Sequence, residues 1–114
     1  MRNRKHVIII ILLAVAVIHC LAQDTMTLTM YRAAKGRKTA DGTVITDPTA
    51  QRICAMSHDM LKKYPFGTKV RVEGYGDYVV RDKMGKRHKK TIDILIPKGT
   101  KAISKRKVMV TKCE

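Results

Sequence analysis

The chain has 114 residues and a formal net charge of +15, from 24 Lys and Arg against nine Asp and Glu. That length holds one small domain and excludes a multidomain enzyme. With one Phe, no Trp and four Tyr, aromatic anchors for a large core or a base-stacking platform are few.

The first 22 residues read as a signal peptide. Arg2, Arg4 and Lys5 form a basic start, and residues 7–18 are an unbroken apolar run. Twelve residues fall short of the roughly 20 that a comfortable membrane span needs. Cys20 and Ala22 supply small residues at the cleavage positions, so a cut after Ala22 is expected, with one after Gln23 close behind. The alternatives are an uncleaved anchor, or a lipoprotein lipidated at Cys20, where His19 stands in place of the small residue a lipobox wants. Three cations and no acids lie in this segment, so residues 23–114 keep 21 cations against nine acids, or +12.

A domain that small buries roughly 60–65% of its unfolded surface and is marginal without help. Export leads to compartments where disulfides persist. Cys54 and Cys113 are therefore expected to pair, a bond that could contribute about 2–4 kcal/mol. The other possibility is two buried free thiols.

The rest reads as short strands. Residues 26–31 alternate apolar and polar with period two. Residues 34–42 are loop. Residues 44–46 are a possible short strand, ended by the turn signal Asp47-Pro48. Residues 52–56 are a strand, and Ser57 offers an N-cap for a helical turn through Asp59, Met60, Leu61 and Lys62. Residues 69–73 alternate, with Val70 and Val72 inward, and residues 74–77 form a hairpin loop before the return strand at 78–81. Residues 83–90 hold five Lys or Arg and must be solvated. Residues 91–96 send Ile92, Ile94 and Ile96 to one face and Asp93 and Leu95 to the other. A helical turn at 101–104 and a last strand at 108–110 follow. Six or seven short strands in this length predict a small all-β barrel or sandwich.

Chemistry is narrowed by what is missing. His58 and His88 stand far apart, and no Cys-x-x-Cys or His-Glu-x-x-His motif supports a metal. No glycine-rich phosphate loop precedes a helix, and Cys54 has no visible partner to activate it. The acids say more. Asp41, Asp47 and Asp77 read as turn residues, and Asp59 as a first-turn helix acid. Asp82 ends a strand. Asp93 lies inside one, where Asp is disfavoured. It either points outward to pair with Lys, or forms a groove floor where burial and nearby Asp82 raise its pKa.

These residues follow an order: Thr39-Ala40-Asp41-Gly42, then Cys54-Ala55-Met56-Ser57-His58-Asp59, then Pro65-Phe66-Gly67-Thr68 leading an alternating strand into Gly74-Tyr75-Gly76. Val80-Arg81-Asp82 and Ile92-Asp93-Ile94 close it. The order resembles the 3D domain, named for three aspartates, of the double-psi β-barrel group. That domain occurs in membrane-bound lytic transglycosylases of the A type and small secreted muralytic proteins; rare lipoprotein A-like proteins and expansins have similar barrels. The resemblance covers about residues 26–112. It implies a six-stranded double-psi β-barrel with one or two short helical turns. It places Asp59, Asp82 and Asp93 at the three aspartates, with Asp93 as the catalytic acid. Thr39 and Tyr31 fall at polar groups near the groove. The family often has Thr-Gly-Gly after the second Asp; here residues 83–90 are basic instead, and Lys86 and Arg87 are candidates to hold the polymer.

The implied function is an exported enzyme cleaving peptidoglycan glycan strands between N-acetylmuramic acid and N-acetylglucosamine. It would need no cofactor or metal, act as a monomer in the periplasm or outside the cell, and meet the membrane only through its N-terminal segment. The alternative is an expansin-like wall-binding module that does not cleave. Nucleic-acid binding rests on charge alone; export and the shortage of aromatics argue against it.

Overall fold

The computed structural model describes residues 22–113; residues 1–21, which carry most of the expected signal segment, lie outside it. Six stretches become strands: β1 (Gln23–Tyr31), β2 (Ile53–Met56), β3 (Lys69–Val72), β4 (Gly76–Lys83), β5 (Thr91–Leu95) and β6 (Lys105–Lys112). They close in the order β1-β5-β2-β4-β3-β6, so no edge is left unpaired. β1 with β5 and β2 with β4 are parallel; the other four pairings are antiparallel. The protein is an all-β, closed six-stranded barrel.

Period-two alternation fills the interior. Met26 and Leu28 of β1, Val70 and Val72 of β3, Val80 of β4, Ile92 and Ile94 of β5, and Val108 and Val110 of β6 are buried in one cluster with Cys54 and Met56. β2 is buried on both faces, because Ile53 packs outside the wall with Ile45 and Leu95. That second cluster lies beneath the loop from β1 to β2. It also explains why Leu95, opposite in face to its isoleucine neighbours, is only 2% exposed.

The expected Cys54–Cys113 disulfide is not formed; both thiols are free. Cys54 faces the interior from β2, and Cys113 follows β6, its N–H donating to Lys69 O of β3 at 2.8 Å. β2 and β6 stand opposite each other in the ring, separated by two strands either way round, so the core lies between the sulfurs. Reducing agent is therefore expected to leave the melting temperature unchanged in a thermal scan. A fall of several degrees would show that the cysteines do pair.

Other local expectations also shift. Residues 44–46 make no strand, only one bridge from Val44 to Lys38. Residues 101–104 form no helical turn, since four uncapped residues cannot offset helix nucleation. A turn of helix, α1 (Pro48–Gln51), does form. Asp47 accepts from Thr49 N and Ala50 N, Pro48 opens the first turn, and Gln51 Oε1 accepts from Thr46 N and Asp47 N. Ser57 precedes a single 3-10 turn (His58–Met60) but does not cap it with its side chain. Its hydroxyl accepts from Thr91 N at 3.0 Å instead, clamping the start of β5.

The β3–β4 hairpin depends on Gly76. Its φ is 101°, and a Cβ there would meet Arg52 Nη2 at 2.6 Å. That guanidinium donates to Tyr75 O and Asp77 O and stacks over the Tyr78 ring, 4.1 Å from its centre.

Candidate functional site: a carboxylate row across four strands

The barrel wall carries one row of residues that the register aligns. Thr29 of β1 stands beside Asp93 of β5, Asp93 beside Ala55 of β2, and Ala55 beside Asp82 of β4. A register shift between Cys54 and Ala55 brings Asp82 to this level. Without it Arg81 would stand there. All four residues face outward, on the side opposite Leu28, Ile92, Cys54 and Met56. Alanine at the middle of the row leaves a space between the two aspartates. That space is a cleft of about 200 Å³ lined by Tyr31, Ala55, Asp82, Lys83, His88 and Asp93 among others.

Asp93 is half-buried. Thr29 Oγ1 donates to its Oδ1 at 2.9 Å. Burial pushes the carboxyl above its ordinary range; the Thr29 bond and the nearness of His88 pull it down, and the charge of Asp82 pushes it up again. The net direction is upward, which favours a protonated acid. Asp82 is held differently: its Oδ1 accepts from Ala40 N at 3.0 Å and Lys83 N at 2.9 Å. The two carboxyls thus sit in unlike environments, Asp93 half-buried with one hydroxyl donor and Asp82 held by two backbone N–H groups. The Tyr31 hydroxyl is buried and has no hydrogen-bond partner. Burial first, then the charges of Asp82 and Asp93, hold its phenol well above the usual range, so it stays protonated beside the two carboxyls.

The other expected site residues lie elsewhere. Asp59 does not reach the cleft. Its carboxylate accepts from Lys90 N at 3.1 and 3.3 Å, in a separate basin with His58, Lys62, Lys86 and Lys89. Burial opposes ionisation there, but bonds from Ser57 and Lys90 outweigh it, so the carboxyl lies below its usual range. Lys90 has a φ of 43°, a strained conformation for a side-chain-bearing residue. Asp59 therefore fixes the entry into β5 rather than touching a ligand beside Asp93. Thr39 is buried and donates to Asp41 Oδ1 at 2.6 Å. Asp41 also accepts from Thr43 and from Arg81 Nη1, so this network holds the loop whose Ala40 N–H grips Asp82. Lys86 belongs to the basin of Asp59, and Arg87 is exposed.

Three contributors escaped the sequence reading: Thr29, Ala55 and His88. Thr29 and Ala55 look like ordinary strand residues until the register is known. The signal for His88 was its place in the loop between the two aspartates.

A larger hollow of about 490 Å³ lies at Arg52, Arg71 and Asp77. Its one acid is already paired with Arg71 at 2.8 and 3.2 Å, which leaves no free carboxyl for chemistry. Among the described residues, no group of three or more His, Cys, Asp and Glu is placed to hold a metal ion.

Compared with protein-family models, curated proteins and solved structures, the chain matches none.

Proposed function

We propose that the protein is an exported, peptidoglycan-acting enzyme of the 3D-domain, double-psi barrel kind, working as a lytic transglycosylase. The observation that carries the reading is the row Thr29–Asp93–Ala55–Asp82, with the Asp93 carboxyl raised and Asp82 accepting two backbone N–H groups across from it. The closed barrel with two parallel pairs is compatible with the double-psi arrangement.

In this mechanism protonated Asp93 donates to the glycosidic oxygen between N-acetylmuramic acid and N-acetylglucosamine. The C1–O bond breaks and positive charge develops on the muramic ring. Asp82 faces that charge across the space left by Ala55 and stabilises it. Asp93, now a carboxylate, takes the proton of the C6 hydroxyl, and O6 bonds to C1 to close the 1,6-anhydro ring. One group serves as acid and then as base, so the paired carboxylates of a hydrolytic glycosidase are not required.

Purified sacculi incubated with the residue 23–114 protein are expected to release 1,6-anhydromuropeptides, seen by mass spectrometry. Sedimentation with sacculi and no soluble fragments would sink the enzymatic reading and support the non-catalytic, expansin-like alternative.

A further inference from the structure

The cleft at Asp93 does not end at Tyr31. Tyr31, Asp82 and Lys83 also line a second hollow of about 290 Å³, whose other side is formed by Arg32, Arg37 and Lys38. Sharing three residues, the two hollows are the arms of one groove that bends over Tyr31 and Asp82.

The second arm is cationic, with four Lys or Arg side chains against one carboxylate. Asp82 is its one acid, and Oδ1 of that carboxylate already accepts two backbone N–H groups. The ion pairs among the described residues are Lys63–Asp24, Arg71–Asp77 and Arg81–Asp41. None involves Arg32, Arg37, Lys38 or Lys83. Arg32 Nη2 donates to a neutral acceptor, Thr100 O. Four cations around a concave surface focus a positive potential that draws in an anion.

The backbone that carries these cations is already tied down. Gly36 N donates to Ile45 O at 2.7 Å, Ile45 N to Arg37 O at 2.8 Å and Thr39 N to Thr43 O at 2.9 Å. Ala40 N fastens the same loop to Asp82. A ligand seated here would have little main chain to order. The basin of Lys62, Lys86 and Lys89 is also cationic, but it shares no lining residue with the Asp93 cleft.

We propose that Arg32, Arg37, Lys38 and Lys83 form a subsite for an oxyanion, carboxylate or phosphate, carried by the polymer whose linkage sits at Asp93. The polymer's identity rests on the peptidoglycan reading above; the subsite rests on charge and shape alone. Two sources offer this chemistry: the carboxylates of peptide stems, and the phosphodiesters of an anionic wall polymer. Arginine suits either, because its planar fork matches both bidentately.

The test uses Asp93→Asn protein, so that ligands are not consumed, and isothermal titration calorimetry. Three ligands are compared: a glycan tetrasaccharide bearing peptide stems, the same tetrasaccharide stripped of stems by an amidase and then amidated at the lactyl carboxyls that the cut exposes, so that it carries no charge, and a glycerol-phosphate oligomer. At least one anionic ligand is expected to bind about tenfold or more tightly than the stripped glycan, an advantage that shrinks as salt rises. Adding Arg37→Gln and Lys38→Gln is expected to erase that advantage and leave the stripped glycan's affinity unchanged. Both side chains are exposed, and circular dichroism checks that the fold is kept. Preference for the stem-bearing glycan assigns a carboxylate; preference for the oligomer assigns a phosphate. Equal affinity for all three ligands, or a preference that survives the double substitution, overturns the subsite. Binding of the oligomer that the double substitution abolishes, with neither glycan bound, keeps the subsite and overturns the peptidoglycan reading. No binding of any ligand overturns both.

Discussion

Asp93→Asn is expected to lower the release of anhydromuropeptides by about 10³–10⁴-fold, the upper range for loss of a general acid–base group. The fold should survive, because an asparagine Oδ1 can still accept the Thr29 hydroxyl that now bonds Asp93 at 2.9 Å. Stability should even move the other way. The folded-state carboxyl lies above its ordinary value, so the proton is held more tightly in the folded chain. The stability from that proton is complete below the unfolded value and is lost as pH rises through the folded one. Asparagine has no such loss. The variant should therefore melt at or above the wild-type temperature at pH 7, with the difference vanishing in acid. A variant that is inactive and also less stable at neutral pH would make Asp93 a structural residue.

The pH profile gives a second check on the same group. In the proposed mechanism turnover needs Asp93 protonated, so activity should fall as pH rises through its pKa. The charge of Asp82 is one cause that raises that pKa. Asp82→Asn should move the alkaline limb of kcat/KM to lower pH and slow the reaction by less than Asp93→Asn does. An unmoved limb in Asp82→Asn would show that the two carboxyls are not coupled.

Much of this was legible because strands write their facing into the sequence. Ile92, Ile94 and Ile96 against Asp93 and Leu95 is a two-residue period, and the structure keeps it residue by residue. What the period cannot carry is register between strands. The shift between Cys54 and Ala55 places Asp82, not Arg81, beside Ala55; nothing local marks it. Ring position is hidden in the same way, which is why a disulfide between Cys54 and Cys113 looked reasonable and is not formed. The short polar side chains misled for another reason. Asp59 and Thr39 can satisfy backbone donors or neighbouring side chains, and both do so here, at Lys90 N and at Asp41. α1 was missed because its side-chain support comes from both ends at once, Asp47 and Gln51, across a segment read as a turn.

Leu28 and Thr29 are adjacent in β1, and their substitution should give opposite phenotypes. Leu28 is fully buried, registered against Ile92 on one side and Lys105 on the other, just after the bulge in the β1–β6 pairing. Truncation to alanine leaves a cavity that a closed barrel cannot readily collapse, because every strand is pinned on both edges. The expected cost is about 3 kcal/mol, within the 2–5 kcal/mol seen for such changes. Against a total of roughly 5–14 kcal/mol for a domain of this size, that is a large share. It corresponds to a melting temperature lower by on the order of 10–20 °C. Thr29 faces the other way. Thr29→Val keeps the β-branched shape and removes the hydroxyl that helps ionise Asp93, so its melting temperature should change little. Its alkaline limb should move to higher pH, opposite in sign to Asp82→Asn. Thermal melts and pH–rate profiles of the two variants, measured side by side, separate core from site. If Thr29→Val were the destabilising change and Leu28→Ala the one that shifts the pH profile, the facing of β1 would be reversed, and with it the whole row of residues that converges on the cleft.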